Sequence, residues 1–401
     1  MTMRGSFLTR NEGKNIALKK KILSLCVENG NYSIAQMSAN TGTSVPTATK
    51  LVGELIQDGF LEDLGKQGTS GGRRPSIYGL NPTAGYFIGL DVGPHYAHMI
   101  ITDFKGEEIA YYPDIPFTMA AKEENYHRIA DSIRRFFLQS NLDWAKVLGC
   151  GVSFTGRVNP SRGYSNSYSF DDDTPVDKIL SDDLGVPVFI ENDSRAMTYG
   201  EYVASRKDEK NMLFINISWG LGMGMVLEKK LYYGKSGYSG EVGHFPYLDN
   251  DVICRCGKVG CLETGASGSA LYRMVGERLK EGRSSSLSKK FKSGENITLN
   301  DILDAIHEED VLVIEVVEEI GSTLGRAVAG LINIFNPEEV VIGGRLAIGG
   351  DYLMLPIQSA VRRFAQNFVA KDSAIVFSKL GAKAGPIGDC LICRSKLLGI
   401  L

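Results

Sequence analysis

Three cysteines and a histidine lie close together near the middle of the chain, and they restrict its fold more than any other feature. Cys254, Cys256 and Cys261 fall within eight residues, shortly after His244, although the 401-residue chain has only seven cysteines. Zinc prefers four such ligands at the corners of a tetrahedron. The spacing therefore predicts a Cys₃His zinc site in this segment.

Two glycines in the same segment favour this interpretation. Gly257 and Gly260 allow the tight, positive-φ turns that bring closely spaced thiolates around one ion. The alternatives are buried small side chains or a disulfide, but Cys254 and Cys256 are too close in sequence to bridge each other easily. Nothing else marks the chain as secreted. We expect a structural zinc ion, because four protein ligands leave no position open for water.

A carboxylate lies at each end of this segment. Glu241 precedes His244 by three residues, and Glu263 follows Cys261 by two. Zinc would draw the two ends together, so both carboxylates could converge on one polar ligand, and sugar hydroxyls suit carboxylate and imidazole partners. His244 could bind zinc through one ring nitrogen and face the ligand with the other.

The pattern E-x-G-H, a spacer and C-x-C-G-x-x-G-C-x-E resembles the signature of the ROK family of repressors, open reading frames and sugar kinases. The resemblance runs from about Pro82 to the C-terminus. It implies an α/β, two-lobed, actin-like ATPase fold that binds sugar and nucleotide in a cleft. On this basis lobe 1 comprises about 82–193 plus a C-terminal helix at 385–401, and lobe 2 comprises about 194–384.

The family resemblance also implies roles for four residues of lobe 1. Asn192 and Asp193 follow the strand VPVFIE, where ROK kinases place a sugar-binding Asn and a catalytic Asp, although a helix N-cap is an alternative role for Asp193. Gly156 and Arg157 fall where these enzymes contact the sugar, with Thr155 in place of a common Pro. We expect Asp193, at the position of the catalytic base, to bind sugar only.

The phosphate-binding half departs from the family pattern. ROK kinases begin lobe 1 with D-x-G-G-T, whereas this chain has Asp91-Val92-Gly93-Pro94-His95. Pro94 removes an amide donor and restricts φ, and His95 replaces a hydroxyl with a ring. The second phosphate turn survives in part as Gly220-Leu221-Gly222, with Leu221 in place of a usual Thr. We therefore expect no ATP cofactor and absent or very slow kinase turnover.

Residues 1–81 are predicted to form a winged helix-turn-helix domain. Helices over 13–28, 33–39 and 44–58, with a turn at 41–43, describe a helix-turn-helix, and two strands flank the Gly-rich basic loop LGKQGTSGGRRPS. Residues 1–82 carry a net charge of +4, from ten Lys and Arg and six Asp and Glu, whereas the remainder carries −7. An anionic partner for this domain follows from that asymmetry. The inner face of the third helix is expected to carry Val45, Leu51, Val52, Leu55 and Ile56.

Five residues are candidates for contact with double-stranded DNA. Ser44, Thr47 and Lys50 lie on the expected outer face of the third helix, where they could reach base edges in a major groove. Arg73 and Arg74 lie in the expected wing, where arginines suit a minor groove or phosphates. A solvated linker is the alternative for the two arginines, and protein contact is the alternative for the whole domain.

Composition and the terminal segment indicate a cytoplasmic protein. The chain is 43 % hydrophobic, which supports a substantial core, and no apolar run is long enough to cross a bilayer. The N-terminus lacks a signal-peptide core. Cys390 and Cys393 form a C-x-x-C on an apparent helix without a partner pair, and we interpret them as packing residues.

Together these features predict a sugar-responsive transcriptional regulator of carbohydrate-utilisation genes. The resemblance is to the repressor branch of the ROK family, the N-acetylglucosamine- and xylose-repressor type, and a homodimer or a dimer of dimers would bind operator DNA. One alternative is an ATP-dependent sugar kinase that also carries a DNA-binding domain. Another is a regulator switched by a partner protein, with a vestigial cleft.

Overall fold

The computed structural model divides the chain into two compact units. The first contains Met1–Ala196 and Gly385–Leu401, and the second contains Met197–Ala384. Arg73, Arg74 and His95 lie outside the described residues, so the predictions made for them stay predictions. The structure describes residues 6–9, 13–66, 75–94, 96–118, 124–165, 175–205 and 208–401.

The first unit opens with a small helical module whose three short strands pair in the antiparallel order β1-β3-β2. These are the elements expected of a helix-turn-helix followed by a β-hairpin. The module comprises α1 (Ser6–Thr9), α2 (Lys14–Asn29), β1 (Tyr32–Ser33), α3 (Ile34–Thr41), α4 (Val45–Gln57), β2 (Leu61–Lys66) and β3 (Ser76–Leu80).

Local sequence signals place the helix ends of this module. Ser33 and Gln36 form a capping box at the start of α3, and the left-handed Gly42, at φ 71°, ends that helix. Ser44 caps α4 by accepting a hydrogen bond from the Thr47 amide at 3.3 Å. Ser33 and Ser44 therefore mark the starts of α3 and α4.

The predicted inner face of α4 is partly wrong. Leu51, Val52 and Leu55 are buried, but Val45 and Ile56 are 53 % and 36 % exposed. At 100° per residue, both lie roughly 70–90° around the helix from the centre of the buried face. Hydrophobic character alone assigned them to the core, although they sit at its edge.

A five-stranded sheet forms the centre of the first unit, in the order β10-β7-β4-β5-β6. Strands β10, β7 and β4 run parallel, and β4, β5 and β6 are antiparallel. The elements of this region are β4 (Tyr86–Val92), β5 (Tyr96–Thr102), β6 (Glu108–Pro116), α5 (Glu124–Gln139), β7 (Val147–Phe154), β8 (Val158–Asn159), β9 (Tyr164–Ser165), α6 (Val176–Leu184), β10 (Val188–Asn192) and α7 (Asp193–Ser205).

The C-terminal helix, Ala384–Leu398, packs on one face of this sheet, as the family resemblance implied. Strand residues Gly89 and Gly151 make the contact possible, since a Cβ at either position would overlap the carbonyl oxygen of Pro386 or of Asp389. The helix backbone therefore lies directly against the strand backbone.

One hydrophobic core joins the N-terminal module, the sheet and the C-terminal helix. The rings of Phe60 and Phe104 lie 5.4 Å apart, and those of Phe87 and Phe104 lie 6.0 Å apart. Cys390 and Cys393 are fully buried in the same core, which confirms their interpretation as packing residues. The module and the sheet are thus parts of one packed body.

The second unit has its own five-stranded sheet, in the order β13-β12-β11-β14-β15, and its own core around the long helix α11. The elements are β11 (Met212–Ile217), β12 (Leu221–Leu227), β13 (Lys230–Leu231), α8 (Gly268–Lys280), α9 (Ser288–Lys292), α10 (Leu299–His307), α11 (Val311–Phe335), β14 (Glu339–Gly343), α12 (Gly350–Phe364), α13 (Asn367–Asp372) and β15 (Ala374–Phe377). Within the described ranges, no helix combines the length and apolar character needed to cross a membrane.

Candidate functional site

The four predicted zinc ligands come together in the second unit. Their ligand atoms all lie within 4.8 Å of one another. His244 Nδ1 is 3.5 Å from Cys254 Sγ, and Cys256 Sγ is 3.6 Å from Cys261 Sγ. A tetrahedron built on usual Zn–S and Zn–N bonds has edges of roughly 3.5–3.8 Å, so this donor set fits one zinc ion. In the part of the chain that the structure describes, no other cluster of potential ligands meets this criterion.

Backbone turns hold the cluster together. Gly257 and Gly260 have φ of 84° and 74°, as predicted. The Cys254 amide donates to the Lys258 carbonyl at 2.8 Å, and the Tyr247 amide donates to the Gly260 carbonyl at 2.7 Å. The chain is thus folded back on itself around the thiols.

The thiols differ in their electrostatic surroundings. Burial raises the pKa of Cys254 to about 12. The backbone amide of Lys258 lowers the pKa of Cys256 below its usual value. Because zinc binds the thiolate form, metal binding at Cys254 must release a proton.

The imidazole of His244 has a different neighbour on each ring nitrogen. Nδ1 lies beside Cys254 Sγ, and Nε2 lies 3.7 Å from Glu241 Oε2. The exposed Glu241 and the ring can therefore present polar atoms to a ligand while Nδ1 faces the thiols. The two-sided role of His244, toward zinc and toward a sugar, stays a prediction.

Glu263 is more engaged than the sequence suggested. Its carboxylate is buried, and Oε2 accepts a hydrogen bond from the Leu221 amide at 3.0 Å. Oε1 lies 3.5 Å from Arg255 Nε, a residue that sequence reasoning did not single out. A carboxylate has about four acceptor positions, so a sugar hydroxyl could still donate to Glu263.

The first unit brings together the other sugar-site candidates. Asn192 Nδ2 donates to the Gly156 carbonyl and to Asp193 Oδ1, both at 2.8 Å. Asp193 Oδ1 also accepts from the Ser194 amide at 2.7 Å, so Asp193 contributes to the start of α7 as well. Arg157 is exposed beside Gly156. These residues and the zinc segment belong to different units, and each group is described by itself.

A buried ion pair supports the Asn192 turn and was missed from the sequence. Glu191 Oε1 accepts hydrogen bonds from the Asn192 amide at 2.8 Å and from Arg195 Nε at 2.7 Å. Arg195 Nη2 donates to the Val158 carbonyl at 3.0 Å, next to the Gly156 loop. The sequence signal that could have predicted this ion pair is the spacing of four residues between the oppositely charged Glu191 and Arg195.

Three buried residues from distant parts of the chain meet on the face of the first sheet that carries the C-terminal helix. The Ser153 hydroxyl lies 3.1 Å from Asp91 Oδ1 and 2.8 Å from Asp389 Oδ2. Burial is the larger cause and the charge of Asp193 the smaller one that raise the pKa of Asp91 to about 7. Burial, followed by the charge of Asp91, raises the pKa of Asp389 well above its usual value. Since one hydroxyl carries one proton, a proton on one carboxyl is needed to satisfy both contacts.

The amides expected to hold phosphate are engaged elsewhere. The Gly93 amide donates to the Tyr96 carbonyl at 2.8 Å, and Pro94 has no amide hydrogen. In the second turn, the Leu221 amide donates its hydrogen bond to the Glu263 carboxylate. A phosphate at either turn would have to displace these partners, and at the second turn it would meet a carboxylate.

The predicted DNA-contact residues of α4 lie at the surface of the module. Ser44 and Lys50 are exposed and Thr47 is half-buried. Ser44 Oγ lies 2.9 Å from Thr47 Oγ1, so the two hydroxyls are hydrogen bonded to each other. Lys50 Nζ is 4.0 Å from Glu54 in an exposed pair, which leaves the ammonium able to bind phosphate or base.

The ROK family model matches residues 87–396. The chain belongs to the ROK family. The xylose repressor of Caldicellulosiruptor bescii is 28 % identical over 390 residues, covering 95 % of this chain and 96 % of the repressor.

Two solved structures of ROK proteins, a regulator and a kinase, resemble this chain. One is a ROK family transcriptional regulator, a homologue of the E. coli MLC protein, with 26 % identity, a TM-score of 0.80 and coverage of 96 % of this chain and 98 % of the regulator. The other is a ROK family glucokinase from Streptomyces griseus in complex with glucose and AMPPNP. It has 26 % identity and a TM-score of 0.67, and the match covers 78 % of this chain and all of the glucokinase. The regulator therefore matches nearly the whole chain, whereas the glucokinase leaves about a fifth unmatched.

Proposed function

We propose that this ROK protein is a sugar-responsive transcriptional repressor of carbohydrate-utilisation genes. The observation that carries the proposal is the extent of similarity. A transcriptional regulator covers 96 % of the chain, but a glucokinase covers only 78 %. The engaged amides of Gly93 and Leu221 argue against a kinase for an independent, electrostatic reason.

The N-terminal module is proposed to act as a winged helix-turn-helix. Its helix α4 would enter a major groove with Ser44, Thr47 and Lys50, and Arg73 and Arg74 would contact a groove or phosphates from the wing. A homodimer or dimer of dimers would read two half-sites, because one module makes too few contacts for operator specificity.

The sugar is proposed to hydrogen bond with seven polar or backbone positions. Amide, carboxylate and imidazole groups match the alternating donors and acceptors of sugar hydroxyls. Asp193 would bind a hydroxyl without abstracting its proton for phosphoryl transfer. The residues are Gly156, Arg157, Asn192, Asp193, Glu241, His244 and Glu263.

Zinc is proposed to be structural. His244, Cys254, Cys256 and Cys261 would hold the ion and fix the tautomer of His244, so that its second nitrogen faces Glu241 and the sugar. The cytoplasm, where thiols stay reduced, suits this site.

Sugar binding can shift the repressor between two states only by its differential affinity for them. We propose that the favoured state changes the spacing of the two DNA-binding modules in the dimer. Operator affinity then depends on sugar without any covalent step.

The decisive experiment combines DNA binding with a kinase assay. Full-length protein should prefer particular fragments near its own gene in gel shifts, and a sugar should change that preference. An ATP-coupled assay over common hexoses, pentoses and N-acetylhexosamines should show no turnover at ordinary kinase rates. Turnover at such rates would replace this proposal by a kinase that carries a DNA-binding module.

The wing can be tested in the same assay. Arg73→Ala combined with Arg74→Ala should weaken binding to specific and scrambled duplexes alike, and should reduce the log–log salt slope by about one for each phosphate that is no longer neutralised. Thr47→Ala should instead relax preference at one position of each half-site. If the double variant bound both duplexes as tightly as wild type at every salt concentration, the wing would have no role.

A further inference from the structure

An apolar side chain stands exposed at the start of α4. Val45 is the first residue of this helix, directly after the cap Ser44, and it is 53 % exposed. Pro46, Thr49 and Lys50 in the same two turns are exposed as well. The end of α4 that carries the polar DNA-contact candidates therefore also presents an aliphatic surface.

The hydroxyls around Val45 already have partners. Ser44 Oγ and Thr47 Oγ1 are hydrogen bonded to each other, and Ser44 Oγ also accepts from the Thr47 amide. Thr49 Oγ1 donates to the Val45 carbonyl at 2.8 Å. In the first two turns the exposed hydroxyls are therefore engaged within the module, whereas Val45 and Pro46 present apolar atoms and Lys50 pairs only loosely with Glu54.

We propose that Val45 contacts the C5-methyl group of a thymine in the major groove. The inference rests on the proposed DNA-binding function and deepens it by naming a base. In helix-turn-helix proteins the N-terminal residues of the second helix approach base edges, and thymine alone of the four bases presents a methyl group in that groove. The contact would remove apolar surface of the Val45 side chain and of the thymine methyl group from water.

The expected size of the effect is modest and measurable. Burying one methyl-sized group contributes about 0.8 kcal/mol, which corresponds to about fourfold in affinity per half-site. A dimer on two half-sites would show the effect twice, about fifteenfold.

The chain offers a matched control. Val311 is the first residue of α11, follows the cap Asp310, and is 68 % exposed in the second unit. Val311→Ala removes the same atoms from the same helical position outside the DNA-binding module. Isolated exposed valines are common on protein surfaces, so exposure alone does not distinguish Val45 from Val311. The two differ only if the loss of affinity on removing a thymine methyl group depends on Val45 and not on Val311.

The test uses the full-length protein and a duplex that this protein selects from a random pool. Each dT of the selected half-site is replaced in turn by dU, which removes only the methyl group. Affinities are measured for wild type, Val45→Ala, Val45→Thr and Val311→Ala. When one particular dT is replaced in a single half-site, wild type and Val311→Ala should lose about fourfold, whereas Val45→Ala should lose nothing further. Val45→Thr, which keeps one of the two methyl groups, should lie between them.

Two results would overturn the inference, and they are distinguishable. If wild type discriminates its selected duplex from scrambled DNA but no dU substitution is coupled to Val45, the thymine contact is wrong while the DNA-binding function stands. If wild type selects no duplex at all, the proposed function fails and the contact fails with it. Thermal unfolding of Val45→Ala confirms that the exposed substitution leaves the fold intact.

Discussion

Individual residues in this protein combine local structural roles with the proposed functional ones. Asp193 accepts the Ser194 amide at the start of α7 and also the Asn192 side chain. Glu263 caps the Leu221 amide beside the thiol cluster. The same atoms that would meet a sugar therefore also stabilise turns, so a substitution must be judged by ligand affinity as well as by stability.

Removing a zinc ligand should release the metal. Cys256→Ser and Cys261→Ser replace a thiolate with a hydroxyl that binds zinc poorly, so we expect less than one zinc per chain and a lower Tm. Elemental analysis after gel filtration measures the stoichiometry. Cys393→Ala is the control, since it removes a buried sulfur from the first unit, and it should lower Tm while zinc content stays at wild-type level. Full zinc occupancy in both serine variants would refute the assignment.

We expect Glu241 and Glu263 to contribute to sugar affinity and not to DNA affinity. Glu241→Gln and Glu263→Gln keep the side-chain size but lose charge-assisted hydrogen bonds, which contribute about 1.5–3 kcal/mol each when buried, so sugar affinity should fall roughly 10-fold or more for the buried Glu263 and by less for the exposed Glu241. Calorimetry measures that affinity, and gel shifts without sugar should be unchanged. Glu277→Gln, on an exposed ion pair of α8, is the control. Wild-type sugar affinity in both variants would remove these residues from the site.

At the scale of elements, α4 has one feature that the fold itself does not require. Gly53 lies in the helix at an exposed position, and a Cβ there would meet no atom within 4 Å. Gly42 has equally open surroundings, but its φ of 71° is left-handed. The two glycines should therefore respond in opposite ways to the same substitution.

Gly53→Ala should stabilise the protein by about 0.5–1 kcal/mol, because alanine restricts the unfolded chain and favours helix. Gly42→Ala should destabilise it, because a Cβ is strained at positive φ. Urea unfolding followed by circular dichroism compares the two. A destabilised Gly53→Ala would show that this glycine is needed for packing that the structure does not contain.

At the scale of the whole molecule, the N-terminal module and the C-terminal helix both pack within the first unit. The C-terminal helix lies against the central sheet, and the same core includes the N-terminal module. The Ser24 hydroxyl lies 3.3 Å from the Leu398 carbonyl, which links α2 to the end of the chain. The stability of the N-terminal module therefore depends on the C-terminal helix, and the buried contact of Asp91, Ser153 and Asp389 lies between that helix and the sheet.

This contact predicts a pH-dependent stability. The folded-state pKa values of Asp91, about 7, and of Asp389 lie above the unfolded value near 4, so their contribution is fully present below pH 4 and is lost as pH rises through the folded values. Asp389→Asn replaces the protonated carboxyl by an amide that can donate to the Ser153 hydroxyl, which then donates to Asp91. The variant should therefore have a higher Tm than wild type at pH 8 and no such advantage at pH 4.

Asp301 provides a control of opposite sign. Hydrogen bonds from Lys290 lower its pKa to about 2, so the stability cost of Asp301→Asn should be constant from pH 4 to 8 and should shrink only as pH falls below 4 through about 2. Thermal unfolding across pH 4 to 8 compares Asp389→Asn with wild type. A constant difference between the two proteins over that range would mean that Asp389 does not hold a proton in the folded state.

The sequence by itself determined the features that depend on spacing within one segment. The cluster of the proposed zinc ligands, the positive-φ glycines within it and the caps at Ser33 and Ser44 are local, because a few residues and the backbone between them define the geometry. Strand and helix order followed largely from hydrophobic periodicity, although Val45 and Ile56 show that periodicity alone does not locate the edge of a core.

The tertiary structure alone decided which distant groups are partners. Ser153 meets residues 62 and 236 positions away in the chain, and Glu263 takes an amide 42 positions away. No local pattern encodes such pairs, since they depend on strand order and on how closely Gly89 and Gly151 let the C-terminal helix approach. The same long-range packing buries Asp91 and Asp389 away from water, and this desolvation raises their pKa values.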